Sequence, residues 1–373
     1  LALILFSGAR HAQTGLAHSS SEFTCLDVVD VPVQECEVLV ALYNSTNGLG
    51  WLLDGNWLLT DTVDDWWGVT VIDGHVTRLD MMNNQLSGSL PPELGSLLHL
   101  TFLILGHNDL TGGIPPALGN LTELNSLDLY GNRLTGDIPP GLGNLSKLYR
   151  LDLHSNVLNG SIPPELGNLT ALHILDLGMN QLTGGIPPAL GKLTSLTHLS
   201  LVDNPLGGSI PTTLGGLTNL TGLWLYRCQL SGPLPAQLGN LSNLYWFNLK
   251  ENQLSGSIPP QLGNLSNLNS LSLSSNLLSG ILPVELGNLT NLISLYLDAN
   301  QLSGAIPAEL ASLPLIYLDL SANQLTGEIP PDIGHMPELH ILLLSGNQLT
   351  GSIPASLGDL IYLYQLDLSG NQL

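Results

Sequence analysis

Asparagine recurs at a fixed interval through most of the chain. Twelve asparagines and one cysteine, Cys228, follow one another at steps of 24 residues, except for a step of 23 between Asn300 and Asn323. Such a period predicts a repeat architecture of thirteen turns, in which each coil contacts its neighbours and stacking buries a continuous core. We call these twelve residues the asparagine column: Asn84, Asn108, Asn132, Asn156, Asn180, Asn204, Asn252, Asn276, Asn300, Asn323, Asn347 and Asn371.

The residues around each column position predict how one coil is built. In the coil of Asn132, Leu127 and Leu129 are two residues apart, so both point to the same face of an extended strand. Gly136 and Pro139 then predict a turn, a short second strand and at most one helical turn. The asparagine amide can bond backbone groups that the bend leaves unpaired. We therefore predict an α/β solenoid, a right-handed superhelix with a concave parallel β-sheet and 24-residue repeats.

The segment that follows each column position supports a resemblance to a known family. Residues 134–145 read Leu-x-Gly-x-Ile-Pro-x-x-Leu-Gly-x-Leu. This segment resembles the plant-type leucine-rich repeat of receptor-kinase ectodomains and polygalacturonase-inhibiting proteins, and the resemblance covers about residues 76–373. Because ligands of such proteins usually lie on the concave sheet, the resemblance implies a binding protein whose ligand contacts outward-facing strand positions.

The segment before the repeats is rich in tryptophan. It contains Trp51, Trp57 and the run Trp66-Trp67-Gly68-Val69-Thr70, and it resembles the N-terminal cap of secreted bacterial and algal members of that class. Many relatives carry a cysteine pair around the Trp-x-Gly-Val element, but that pair is absent here. The cap is therefore expected to rely on tryptophan packing and, in an oxidising compartment, on a disulfide between Cys25 and Cys36.

Three parts of the chain are predicted. Residues 1–20 are expected to be a residual signal peptide or disordered leader, residues 21–75 an N-terminal cap, and residues 76–373 a solenoid of about thirteen turns without a C-terminal cap. The chain is accordingly predicted to be secreted or at the cell surface. No uninterrupted apolar run reaches the length of a membrane span, so no membrane insertion is expected. The uncapped C-terminal edge favours end-to-end self-association.

The charge balance excludes some partners. The chain has 8 basic and 30 acidic residues and a formal net charge of −22. Nucleic acid and anionic membrane surfaces need clustered lysine and arginine, so neither is a predicted partner. Aspartate often fills the middle outward position of the predicted strands. This pattern is interpreted first as a solvated spacer that aids solubility and second as an acidic stripe for cationic groups.

Two bands on the predicted concave face stand out as candidate ligand-binding sites. Exposed Trp and Tyr beside Arg are enriched in binding hot spots, and aromatic platforms beside hydrogen-bonding groups also suit sugar rings. Cross-strand packing that only stiffens the sheet is an equally acceptable interpretation of the central band, and surface ion pairing is the alternative for the second. The central band comprises His198, Val202, Trp224, Tyr226, Arg227, Trp246, Asn248, Lys250 and Glu251, and the second comprises Tyr130, Arg150 and His154.

Catalytic signals are missing from the sequence. The ten histidines are scattered, and no metal-ligand spacing or phosphate loop occurs, so neither an enzyme nor a cofactor or metal is predicted. Cys228 is expected to be a buried small residue. The predicted function is an extracellular or cell-surface module that binds a protein, peptide or glycan ligand. The alternative is a structural, adhesive or self-assembling subunit, and ice binding through the Ser/Thr ladder of the repeats is less favoured.

Overall fold

A computed structural model describes residues 23–373, and the leader predicted at residues 1–20 lies outside them. Each coil adds one short strand to a single fourteen-stranded sheet, in the order of the chain. The first two strands are antiparallel, and every later pair is parallel. The predicted solenoid is therefore confirmed. The strands of this concave sheet are Val69–Ile72, His75–Asp80, Phe102–Ile104, Ser126–Asp128, Arg150–Asp152, Ile174–Asp176, His198–Ser200, Gly222–Trp224, Trp246–Asn248, Ser270–Ser272, Ser294–Tyr296, Tyr317–Asp319, Ile341–Leu343 and Gln365–Asp367.

The opposite side of each coil carries a second strand in most turns and one 3₁₀ turn, as the glycine and proline positions predict. Gly136 has a φ of 77°, where a side chain would be strained. The second strands are Ser87–Ser89, Asp109–Thr111, Thr135–Asp137, Val157–Asn159, Ser231–Pro233, Gln253–Gly256, Leu277–Ile281, Gln301–Gly304, Gln324–Gly327 and Gln348–Leu349. The 3₁₀ turns are Pro92–Ser96, Pro116–Asn120, Pro140–Asn144, Pro164–Asn168, Pro188–Lys192, Thr212–Gly216, Ala236–Asn240, Pro260–Asn264, Val284–Asn288, Ala308–Ser312, Pro331–His335 and Ala355–Asp359.

The asparagine column lies inside the stack and joins consecutive coils. Nδ2 of Asn132 donates to the carbonyl of Leu105 in the preceding coil and to that of Leu129 in its own coil, both at 3.0 Å. Its Oδ1 accepts a hydrogen bond from the backbone N–H of Leu110, also at 3.0 Å. One amide thus satisfies backbone groups of two coils that would otherwise be buried without partners. Leu127, like its equivalents, is fully buried beside this network.

One coil departs from this pattern. Cys228 is fully buried, and its thiol donates to the carbonyl of Leu201 at 3.1 Å, where an asparagine would place an amide N–H. A thiol offers no amide oxygen to the coil before it, and there the N–H of Leu206 donates to the carbonyl of Asn204 at 2.8 Å. Burial raises the pKa of the Cys228 thiol to about 12. The residue is the buried small side chain that was predicted.

Residues 23–75 form a different arrangement from the coils. Helix α1, Val33–Ser45, is followed by an aromatic cluster in which Trp51 and Trp57 are edge to face at 4.8 Å. Cys25 and Cys36 are joined in a disulfide. This segment also contains the 3₁₀ turns Cys25–Asp27, Gly48–Gly50 and Val63–Asp65. Within residues 23–373, no helix has both the length and the apolar character needed to cross a bilayer.

Candidate ligand-binding site

Three aromatic rings are stacked at the centre of the concave sheet. His198, Gly222 and Trp246 are aligned on three neighbouring strands. Trp224 comes from the next outward position of the middle strand, and its ring leans back over Gly222, where a Cβ would collide with it. The ring of Trp224 therefore lies between the other two, 5.9 Å from His198 and 6.1 Å from Trp246, with planes within 27° of parallel. We call these three residues the aromatic stack.

The aromatic stack borders an open groove at the edge of the sheet, where the chain enters each strand. Trp246 is 43% exposed, and Tyr245 meets its ring edge-on at 4.5 Å. The groove has a volume of about 820 Å³, and we call it the flank groove. It is lined by His198, Thr221, Asn243, Tyr245, Trp246, Asn267, Asn269, Thr290, Asn291, Ile293 and Pro314.

Three asparagines of a second column form one wall of the flank groove, and the sequence-based prediction missed this column. Asn219, Asn243, Asn267 and Asn291 each donate from Nδ2 to a backbone carbonyl of the preceding coil at 2.8 Å. We call these four residues the amide column. Asparagine at the same repeat position in four successive coils was the signal that could have identified them.

Three carboxylates lie on the other side of the aromatic stack. Asp128, Asp152 and Asp176 occupy equivalent positions on consecutive strands, and we call them the acidic cluster. Arg150 contacts two of them, with N–O distances of 2.5 Å to Asp152 and 3.6 Å to Asp128. Burial, together with the nearby Asp152 charge, raises the pKa of Asp128 to about 6. Burial also raises the pKa of Asp176. A cleft of about 450 Å³ separates this cluster from His198 and Trp224.

The second predicted band joins the acidic cluster. Tyr130 stacks on His154 at 4.9 Å, and Nδ1 of His154 lies 2.8 Å from Asp152, a hydrogen bond that raises the pKa of His154. Ligand atoms of Asp152, His154 and Asp176 lie within 4.8 Å of one another, a geometry that could hold a metal ion. The sequence predicted no metal-ligand spacing, because Asp176 comes from the coil after the one that carries Asp152 and His154. Arg150 already pairs with Asp152, which weakens the case for a cation there.

Four other residues of the predicted central band are buried or paired with one another. Val202 is only 8% exposed and therefore offers little contact area to a ligand. Arg227 pairs with Glu251 at 2.5 Å, and Lys250 lies 3.4 Å from the same carboxylate. The Arg227–Glu251 pair raises the pKa of the guanidinium and lowers that of the carboxyl. These charged groups thus satisfy one another beside the sheet.

Asn248 and Tyr226 belong to the same band. Asn248 shares a smaller cleft of about 380 Å³ with Lys250, Tyr296 and other residues of the following coils. Tyr226 has a pKa raised by burial. Neither residue lines the flank groove.

Comparison with known proteins places the repeats in a structural context. The Leucine Rich Repeat family model matches twelve segments between residues 75 and 360. These are residues 75–97, 99–121, 123–145, 147–169, 171–193, 195–217, 219–241, 243–265, 267–289, 291–313, 314–336 and 338–360. No curated protein matches the chain.

Solved structures with a similar fold include plant receptors. One is the ectodomain of the Arabidopsis thaliana membrane receptor kinase GASSHO1/SCHENGEN3, solved in complex with CASPARIAN STRIP INTEGRITY FACTOR 2. It is 38% identical to this chain, and the TM-score is 0.80 over 90% of this chain and 44% of that chain. Another is the Arabidopsis receptor kinase HAESA, solved in complex with the peptide hormone IDA and the co-receptor SERK1. It is 32% identical, and the TM-score is 0.71 over 91% of this chain and 62% of that chain. A plant ice-binding protein is 25% identical, with a TM-score of 0.61 over 87% and 97%. The chain spans about half the length of the two receptor ectodomains.

Proposed function

The chain belongs to the leucine-rich-repeat family, and from that premise we propose that it is an extracellular or cell-surface module that binds a protein, peptide or polysaccharide ligand on its concave face. Two similar solved structures are receptor ectodomains, and that of HAESA was solved with a peptide hormone. This fold is typical of binding modules, and the proposed role involves no catalysis. The similarity supports ligand binding in general. Evidence for where the ligand binds must come from the side chains of this chain.

The aromatic stack is the observation that carries the proposal. Large aromatic side chains at outward positions of a sheet give rigid contact area at low entropic cost. Trp246 keeps 43% of its surface exposed although Trp224 stacks beside it. The flank groove lies on one side of the aromatic stack, and the cleft of about 450 Å³ beside the acidic cluster lies on the other. A ligand on the central concave face would therefore contact the stack whichever side it occupied.

The proposal is tested with a ligand identified on glycan and peptide arrays. Changing both Trp224→Ala and Trp246→Ala is expected to weaken binding by about a hundredfold, because each removes a hot-spot side chain. The matched control is Tyr149→Ala with Tyr362→Ala, which removes two aromatic residues of 50% and 51% exposure. Neither tyrosine lines the flank groove or the cleft beside the acidic cluster. Unchanged affinity in the tryptophan variant, measured by calorimetry, would rule out the central concave face.

The same proposal assigns residues 21–75 to an N-terminal cap. The strand Val69–Ile72 forms one edge of the concave sheet and pairs with it in antiparallel fashion. Helix α1 packs against the 3₁₀ turn Pro92–Ser96, and the N–H of Ser87 donates to the carbonyl of Thr46 at 3.0 Å. These contacts support the assignment, because an end cap must cover the otherwise open edge of the first coil.

Ice binding is the second candidate function, because a plant ice-binding protein has a similar fold over almost its whole length. Such a function would use the hydroxyls of the second strands. Those strands are interrupted between Asn159 and Ser231, and Asp137 and Ile281 stand among the exposed positions. A thermal hysteresis measurement with the 373-residue chain tests this candidate. Activity that persists in the double tryptophan variant would favour it over concave-face binding.

A structural or adhesive role is tested by light scattering on the same chain. A concentration-dependent rise in mass would support self-association, and this includes the end-to-end association expected from the sequence. A monomer at all concentrations would favour the binding module instead.

A further inference from the structure

The flank groove differs from most of this acidic surface in its charge. The whole chain has a formal net charge of −22, yet none of the residues that line this groove in the described chain is Asp, Glu, Lys or Arg. His198 supplies the only imidazole of this lining, and burial lowers its pKa below the ordinary value, so the neutral ring predominates at pH 7. A charged ligand group placed here would lose hydration without gaining a charged partner, which is costly. The lining therefore favours an uncharged ligand.

The groove offers an aromatic platform at one end. Trp224 lies beside one side of the Trp246 ring, while the neighbouring strand on the other side carries Ser270 at the same register. Because serine is short, it leaves the indole open in that direction, in agreement with the 43% exposure of Trp246. Tyr245 adds a second exposed ring, whose plane is inclined at 70° to the first. Apolar C–H faces of a ring-shaped ligand can pack against such a platform, while the ligand's polar edge remains free to form hydrogen bonds.

The amide column supplies polar groups at a regular spacing. Asn243, Asn267 and Asn291 are each held by a hydrogen bond to the preceding coil, so their side chains are ordered before a ligand arrives. Within residues 23–373 their Oδ1 atoms accept no hydrogen bond from the protein and remain available to hydroxyl donors. Neighbouring coils are about 4.8 Å apart along the sheet. Ordered groups lose little side-chain entropy on binding.

The 23-residue coil limits the amide column. Pro314 occupies the position that asparagine fills in the four preceding coils, and it lines the groove beside Ile293. At this repeat position, charged residues occur only farther away, with Glu123 and Lys147 toward the N-terminus and Glu338 toward the C-terminus. This repeat position is therefore uncharged in seven consecutive coils, which suits a segment of an extended ligand.

We infer that the flank groove binds an uncharged oligosaccharide. One sugar ring packs on Trp246, and hydroxyls along the oligosaccharide form hydrogen bonds with the amides of Asn243, Asn267 and Asn291. The inference rests on the proposed binding function and narrows its ligand class. A neutral saccharide has apolar ring faces that fit the aromatic platform and hydroxyls that fit the amides. It carries no charge, and the lining offers no charged partner. A peptide that placed a terminus or a charged side chain in the groove would find no charged partner there.

Calorimetric titration of the 373-residue chain with neutral hexasaccharides tests the inference. The probes are cellohexaose, xylohexaose, mannohexaose and chitohexaose, with a hexagalacturonate as the anionic counterpart. At least one neutral probe is expected to bind, and the hexagalacturonate is expected to bind at least about tenfold more weakly, because its carboxylates find no cation. Failure of all four neutral probes, or equal binding of the anionic probe, would overturn the inference.

Matched variants locate the bound sugar. Trp246→Ala is expected to weaken binding by about tenfold or more, and Trp246→Phe by less, since a smaller ring keeps part of the platform. Asn267→Ala is expected to weaken it about threefold to tenfold through one lost hydrogen bond. Its control is Asn219→Ala, which changes the same column outside the groove.

The failures of the two proposals are distinguishable. If a peptide binds and loses affinity in the Trp246→Ala variant while no neutral hexasaccharide binds, the ligand class inferred here is wrong but concave-face binding stands. If no array ligand depends on Trp224 or Trp246, both proposals fail. If a neutral hexasaccharide binds with equal affinity to Trp246→Ala and Asn267→Ala, its site lies elsewhere and the groove assignment is wrong.

Discussion

The concave face has two stretches that share a backbone but differ in chemistry. The coils of Asn132, Asn156 and Asn180 carry the acidic cluster, whereas the coils from Asn204 to Asn323 border the uncharged flank groove. Their strands have the same length and are paired in the same register. The leucines and asparagines that build the frame point inward, so they do not determine what the outward positions carry. Surface chemistry in this solenoid therefore varies independently of fold.

The first prediction tests whether the frame is common to both stretches. Asn132→Ala and Asn276→Ala are each expected to lower the free energy of unfolding by about 2–4 kcal/mol, because each leaves several buried backbone groups without partners. Asn276 donates to three carbonyls and accepts from the N–H of Leu254, as Asn132 does in its own coil. Denaturant unfolding followed by two spectroscopic probes measures both. A loss below about 1 kcal/mol in only one of the two variants would show that the stretches have different frames.

The second prediction concerns the boundary between the stretches. Gly222→Ala is expected to cost about 1–3 kcal/mol of stability, because the new Cβ occupies the space of the Trp224 ring and the ring must leave the aromatic stack. Near-UV circular dichroism should report the displaced indole. In a Trp224→Ala background the same change should cost almost nothing. A cost that persists in that background would mean that the ring contact is not its cause.

The smallest expected effect separates the stretches by pH. The folded-state pKa of Asp128 is raised from 3.8 to about 6, so between those pH values the folded chain holds a proton that the unfolded chain has released. The contribution of this group to stability therefore falls as pH rises through that window. Asp128→Asn is expected to stabilise the chain by about 1–2 kcal/mol at pH 7 and to have little effect at pH 3.5, below both pKa values.

The reciprocal control lies in the coils that border the flank groove. Asn248 has the same repeat position as Asp128, and Lys250 lies two residues farther along the chain. Asn248→Asp should therefore change stability less at pH 7 than Asp128→Asn does. Equal and opposite effects of the two changes, measured by thermal unfolding at both pH values, would contradict a difference in electrostatic environment between the stretches.

Much of the frame was predictable from residue spacing. Leucines two residues apart gave the inward face of each strand, and asparagine at every twenty-fourth position gave the internal hydrogen-bonded column. Glycine positions such as Gly136 matched left-handed backbone conformations. The site was predictable only in outline. Trp224 and Trp246 were identified from their outward positions, whereas Val202, also at an outward position of the predicted pattern, is buried.

The sequence by itself determined the solenoid, because a repeated pattern of inward leucines and asparagines has one periodic way to bury its apolar and polar groups. Only the tertiary structure decided how side chains of neighbouring coils arrange themselves on the outer surface. Trp224 leans over Gly222, Asp128 is covered by its neighbours, and the amide column meets Trp246 at the flank groove. These features depend on side-chain direction and on lateral contacts between coils. A linear pattern of residue types specifies neither of them.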